Sequence, residues 1–153
     1  MSALRLAVIG VGHMGRLHAQ KVYALAARDS SVVLVGVADP DTDRSAEIAA
    51  EMGVRGVADF RDLLGEIDAA IVAVPTVDHY QVVSETLSAG VDVLVEKQIA
   101  ATLPEAEKLL SIARDGGRVL QVGHLEWFNA AMRQVAATIH RPRFVESHRL
   151  GPF

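Results

Sequence analysis

The sequence predicts an α/β fold with a doubly wound parallel sheet, and three observations carry that reading. Short Val- and Ile-rich runs alternate with longer stretches of helical period, a glycine-rich turn follows the first run directly, and helix start and stop signals fall between the runs. The runs at residues 4–9, 32–37, 69–74, 91–95 and 119–122 are apolar on both faces, as strands in the middle of a helix-covered parallel sheet must be. Right-handed crossovers between them then give two helical layers.

Taken in order, the first run leads through Gly10, Gly12 and Gly15 into a segment where Met14, Leu17, Ala24 and Leu25 share a helical face. After the second run, a helical stretch closes at Gly53. After the third, Asp78 is placed to cap a helix from Val77 onward, with Gln81 three positions later and Gly90 as its stop. Thr102 and Glu105 form a capping-box pair with Pro104 in the first turn, and Gly116 closes that helix. Its stripe of Leu103, Ala106, Leu109, Leu110 and Ala113 should face the sheet, leaving Glu105, Glu107, Lys108 and Arg114 to water. The character changes after Gly123: Trp127, Phe128 and Asn129 precede a helical stretch at 130–139, and an apolar run at 144–150 has no partner strand after it. We therefore expect a dinucleotide-type domain over residues 1–123, and over 124–153 a connecting helix with the start of a second, α+β sheet domain that is cut short.

Composition narrows the partners. With 153 residues, 50% hydrophobic and 22% charged, the chain can pack one core. Its 15 basic and 19 acidic residues leave a net charge of -4, so no global positive field attracts nucleic acid or acidic membranes. There are no cysteines, which excludes disulfides and thiolate metal sites. The apolar opening reads as a strand and not as a signal peptide, and no stretch approaches the ~20 apolar residues of a membrane span. A soluble, cytoplasmic protein is expected. The histidines are scattered without ligand spacing, so no metal is expected.

The glycine turn is where chemistry first becomes specific. Gly10-Val11-Gly12-His13-Met14-Gly15 spells GxGxxG between a strand and a helix, the Rossmann dinucleotide fingerprint. Gly10 serves the tight turn, Gly12 the close approach of backbone to a diphosphate, and Gly15 the contact of helix with strand. The amides at the helix start would meet the phosphates, with His13 and Met14 in the same loop. Asp39 ends the second run, where a carboxylate accepts hydrogen bonds from both adenosine ribose hydroxyls. It would repel the 2′-phosphate of NADP, so NAD is the expected cofactor; Arg44, in the following helix, is the arginine nearest in sequence. The other reading of Asp39 is a cap or turn residue ahead of Pro40.

Ligands of such sheets lie across the carboxyl ends of the strands. There Ala73-Val74-Pro75-Thr76 either lines the passage between the two riboses or is an ordinary turn. Glu96 and Lys97 follow the run at 91–95, and a lysine at that edge can hydrogen-bond a substrate hydroxyl, although a solvated pair fits the spacing equally well. His79 and His124 sit near the same edge, His18 reads as a packed helix residue, and His140 and His148 as surface or interface residues.

Four segments, VIGVGHMGRLHAQ at 8–20, VAVPTVDHY at 72–80, LVEKQIA at 94–100 and VGHLEWFNA at 122–130, resemble the amino-terminal domain of the Gfo/Idh/MocA oxidoreductases. The resemblance runs through the whole chain. It implies NAD(P)-dependent oxidation or reduction at a hydroxyl-bearing carbon, commonly of a sugar or cyclitol, with Lys97 as the lysine that contacts substrate and assists proton transfer, and Glu96 beside it on the cofactor side. Position 98 departs from the family's proline and is Gln98, which leaves the backbone after Lys97 less constrained; Trp127 and Ala130 depart from an Arg-Phe-Asn-Pro pattern. The segment 146–153 with Gly123-His124 is similar to members acting on nucleotide-linked amino sugars, such as UDP-N-acetylglucosamine 3-dehydrogenases. A basic cluster of Arg133, Arg141, Arg143 and Arg149 would suit a substrate diphosphate or form a solvated face. The resemblance also implies a second-domain histidine that this chain lacks, and hence cofactor binding without turnover, within a full-length homo-oligomer. Two other readings are open at this level: a free-standing NAD-sensing regulatory module, and an S-adenosylmethionine-binding methyltransferase.

Overall fold

Among the described residues, six parallel strands form one sheet. They are β1 (Leu4–Ile9), β2 (Val32–Ala38), β3 (Arg55–Val57), β4 (Ala69–Val72), β5 (Asp92–Val95) and β6 (Leu120–Val122), in the order β3-β2-β1-β4-β5-β6. The computed structural model describes residues 2–141, 143, 144, 146 and 148. The helices are α1 (His13–Ala26), α2 (Thr42–Met52), α3 (Thr76–Ser88), α4 (Leu103–Asp115) and α5 (Ala130–Thr138), with 3-10 turns at Phe60–Glu66 and Leu125–Phe128. By contact the chain divides into two units, residues 1–123, which hold the sheet, and 124–153, which hold the second 3-10 turn and α5. No helix among the described residues is long and apolar enough to cross a membrane.

The sheet is doubly wound because side chains alternate along each central strand. Val8 and Ile71 point into one layer with Val22, Ile48 and Met52 of α1 and α2. Ala7, Ile9, Ala70 and Val72 point into the other, with Leu63, Val83 and Leu109. Chain order reverses between β1 and β4, which fixes the switch point where such sheets open a crevice.

Several local expectations need correction. On α1 the face of Met14, Leu17, Ala24 and Leu25 is turned to water, and Gly15, Ala19 and Val22 are buried instead. The required contact of Gly15 with the first loop sets the rotation of that helix, and its small residues sit closest to the sheet. α3 starts at Thr76 with Pro75 in the cap position, so Asp78 lies inside the first turn, where its charge favours the helix start without capping it. The capping box of Thr102 and Glu105 is present. On α4, however, Leu103 (71% exposed) and Leu110 (49%) leave the stripe, while Ile112 joins Ala106, Leu109 and Ala113 against the core. Gly53 and Gly90 carry positive φ as expected, but near α4 the left-handed residue is Gly117, not Gly116. β3 has only three residues and no apolar run to announce it. The expected strand at 144–150 lies largely outside the described residues, as does Arg149.

At the edge of the sheet opposite the crevice, Arg5 donates three hydrogen bonds to the Asp68 carboxylate, from Nη2 to Oδ1 at 2.7 Å, from Nε to Oδ2 at 3.1 Å and from its amide to Oδ2 at 2.8 Å. The Arg5 side-chain hydrogen bond, followed by its backbone amide, holds the Asp68 carboxyl at about 2, below its ordinary 3.8. A depressed carboxyl adds stability above its unfolded value and loses it as pH falls through the folded one. Asp68→Asn is therefore expected to be less stable than wild type near neutral pH, with the gap closing as pH drops from 3.8 toward about 2. Because the pair is exposed, the gap should also shrink in high salt; denaturant melts across pH check both.

Candidate functional site

Five backbone hydrogen bonds arrange the strand ends in a row. Asp39 N–H donates to Val57 O, Gly10 to Ala38 O, Ala73 to Ile9 O, Glu96 to Val72 O and Gly123 to Val95 O, at 2.8–3.1 Å. Each residue just past its strand is thus pinned to the last residue of the neighbouring strand. Residues far apart in sequence come to stand side by side along the carboxyl edge of the sheet.

A cleft of about 910 Å³ opens over the β1, β2 and β4 part of that row, within the range of a small-molecule site. Gly10, Gly12, Met14 and Asp39 line it, together with Ala73, Val74 and Pro75. Gly10 has φ +81°, and a Cβ there would stand 2.7 Å from Val74 N, so β4's exit packs directly on the turn. A Cβ at Gly15 would fall 1.8 Å from Gly10 O, which is the helix-to-strand contact expected of the third glycine. Gly12 faces open space, with no atom within 4 Å of where a Cβ would stand, and α1 begins at Gly12 with no side-chain cap. The start of α1 therefore has no side-chain cap and faces open space, an arrangement able to receive an anionic group.

Asp39 is 5% exposed. Its Oδ2 accepts Val11 N–H at 2.8 Å, its Oδ1 accepts Asp41 N–H at 3.0 Å, and Arg44 Nη1 donates to both oxygens at 3.1 and 3.3 Å. The cap of α2 is Asp41, which accepts Arg44 N–H at 3.1 Å, so Asp39 is not the cap; it closes the turn ahead of α2 through the Asp41 amide and braces the glycine loop through that of Val11. Arg44, expected only as the arginine nearest Asp39 in sequence, lines the cleft as well, as do Gln81, expected only at a helix start, and Phe60, which was not anticipated. The stretch at 58–61 follows the unannounced β3. There Arg61 binds Asp59 and Glu85, lies 4.8 Å over the Phe60 ring, and through its N–H holds Asp59 below the usual carboxylate range.

The remaining expected residues lie apart from this cleft. His13 is exposed and borders a shallower hollow with Val11, Arg16 and Asp41. Thr76 is the half-buried first residue of α3. His79 is 1% exposed, with Nδ1 2.5 Å from Gln98 O and Nε2 3.0 Å from Val74 O, so it joins two loops inside the protein and does not line the cleft. Glu96 is buried and Lys97 exposed, next in the row past β5. The carbonyl of Gln98 is the one His79 meets, so the backbone after Lys97 is tied despite the missing proline. His18, read from sequence as a packing residue, instead has Nε2 2.8 Å from Glu96 Oε1. His124 and the arginines Arg133, Arg141 and Arg143 belong to the second unit. No group of three or more His, Asp or Glu that could hold a metal ion occurs among the described residues.

The family model described as "Oxidoreductase family, NAD-binding Rossmann fold" (GFO_IDH_MocA) matches residues 4–124. A UDP-N-acetylglucosamine 3-dehydrogenase of Acidithiobacillus ferrooxidans is 38% identical over 154 residues, which cover 100% of this chain and 47% of that protein. A solved structure of this enzyme, GnnA, superposes with TM-score 0.82 at 37% identity, over 94% of this chain and 46% of that one. GenD2 from gentamicin A biosynthesis, solved in complex with NAD, matches with TM-score 0.74 at 30% identity, over 80% of this chain and 35% of that one. The chain thus spans less than half the length of these relatives.

Proposed function

Since the chain belongs to the oxidoreductase family with an NAD-binding Rossmann fold, we propose that it is the cofactor-binding domain of an NAD-dependent dehydrogenase acting on a sugar-type hydroxyl carbon. The observation that carries this reading is the row of strand-end residues: glycine turn, buried carboxylate and small-residue turn along the cleft, with Glu96 and Lys97 next in the row beyond it. In this reading the Gly12, His13 and Met14 amides hold the diphosphate. Asp39 accepts the adenosine ribose hydroxyls once the half-exposed Arg44 side chain swings off it. Ala73, Val74, Pro75 and Thr76 line the passage to the nicotinamide, with His79 behind them. Glu96 and Lys97 stand at the nicotinamide end, where the bound cofactor supplies hydride transfer and Lys97 takes or returns the proton of the substrate hydroxyl.

The relatives named as dehydrogenases and the one solved with NAD support the enzyme reading over a free-standing NAD sensor. The similarity to a UDP-N-acetylglucosamine 3-dehydrogenase supports a nucleotide sugar as the substrate class. With the family's second half outside this chain, we propose that these residues bind cofactor without turnover, and that the full-length protein is cytoplasmic and homo-oligomeric. Thermal unfolding tests the cofactor reading. NADH at 100 times its Kd should raise the midpoint by roughly 5–10 °C. NADPH should raise it less and S-adenosylmethionine not at all; protection by the methyl donor alone would replace this reading with a methyltransferase.

A further inference from the structure

His18 and Glu96 are separated by 78 positions and meet in a half-closed corner between α1 and the end of β5. Their side chains are only 15% and 9% exposed, so little water is available to replace the contact if it is lost. Glu96 Oε1 lies 2.8 Å from His18 Nε2, and Glu96 Oε2 accepts the backbone N–H of Lys97 at 3.3 Å. A Cβ at Gly123 would come within 3.3 Å of Oε1, so the end of β6 closes around the same carboxylate. One carboxylate therefore joins a helix to the amide of the lysine beside it. A buried carboxylate needs its hydrogen-bond donors, and removing one leaves it free to reorient toward another.

We propose that His18 is a positioning residue: through Glu96 it fixes the backbone at Lys97 and so sets where the lysine amine stands at the nicotinamide end of the cleft. On the other side His79 holds the carbonyl of Gln98, so the lysine sits between two anchored peptide groups. The anchor at Glu96 depends on His18. This inference rests on the proposed cofactor reading, which places the nicotinamide beside Lys97.

The chain has three lysines, Lys21, Lys97 and Lys108, so ¹³C-methyl groups added to its amines give a sparse NMR spectrum that a Lys97→Arg control assigns. In the wild type, NADH should move the Lys97 line, and ADP-ribose, which lacks the nicotinamide, should not. His18→Leu should displace the Lys97 line in the free protein and abolish its response to NADH, while the Lys21 and Lys108 lines stay in place and NADH still saturates. His18→Gln, whose amide can donate to Glu96, should restore the response. A loss of packing alone would lower the melting temperature without singling out Lys97. If His18→Leu does not fold, His18→Asn, polar but too short to reach Glu96, takes its place. An unchanged Lys97 line with a full NADH response in these variants overturns the inference alone; no binding of NADH to the wild type overturns the cofactor reading and the inference with it.

Discussion

Asp39→Ala is expected to weaken NADH binding about 100-fold, as the loss of two charge-assisted hydrogen bonds to one ribose predicts. The same substitution should affect NADPH far less, because it removes a negative charge from beside the 2′-phosphate as well as a hydrogen-bond acceptor. The ratio of the two affinities is the informative quantity. Asp39 also receives Val11 N–H, Asp41 N–H and Arg44, so its removal lowers stability, but a general loss of folded protein would weaken both cofactors alike. Arg44→Ala provides the comparison. It frees the carboxylate of its present partner while leaving the carboxylate in place, and NADH binding should survive it. Fluorescence titrations of the two variants with both cofactors check these expectations.

Gly15→Ala is expected to destabilise the domain by about 3 kcal/mol or more, at or beyond the top of the usual range for overpacking. The added methyl would lie 1.8 Å from Gly10 O and 2.8 Å from Gly10 C, both backbone atoms of a turn that cannot yield without parting α1 from β1. The melting temperature should fall by roughly 10 °C. Gly12→Ala makes the matched contrast. Nothing lies within 4 Å of its Cβ, so the protein should fold normally, yet the methyl projects into the space assigned to the diphosphate and NADH binding should be lost. Melting curves with and without NADH separate the two effects.

The parts of the molecule legible in the sequence were those where one physical demand dominates the residue choice. Strands with central residues buried on both faces must be apolar there, which made β2, β4, β5 and the second half of β1 visible, whereas the edge strand β6, with its exposed Gln121, showed only through Leu120 and Val122. A helix that must approach a strand through a glycine turn leaves GxGxxG, and the turn, the helix and the open space at Gly12 follow from it. The misreadings arose where several choices were equivalent. α1 carries apolar residues on more than one side, and only the Gly15 contact tells which side is buried. β3 pairs at the sheet's edge through Arg55, Gly56 and Val57, too short for a pattern, and so the 58–61 wall of the cleft that follows it was missed too. His18 and Glu96 are both ordinary in their own segments. Their pairing exists only because the fold brings the first turns of α1 within reach of the residue just past β5, and no local spacing encodes that. Arg44 was seen as an arginine near Asp39, but that it lies on the carboxylate could be read only from the fold.

A crystal structure of the chain grown with NAD addresses the central claim most directly. It should show the diphosphate within hydrogen-bonding distance of the amides at Gly12 to Met14, both adenosine ribose hydroxyls on Asp39, and Arg44 displaced from that carboxylate. Density for the dinucleotide at another surface, with Arg44 still on Asp39 and the space above Gly12 filled by side chains, would contradict the account.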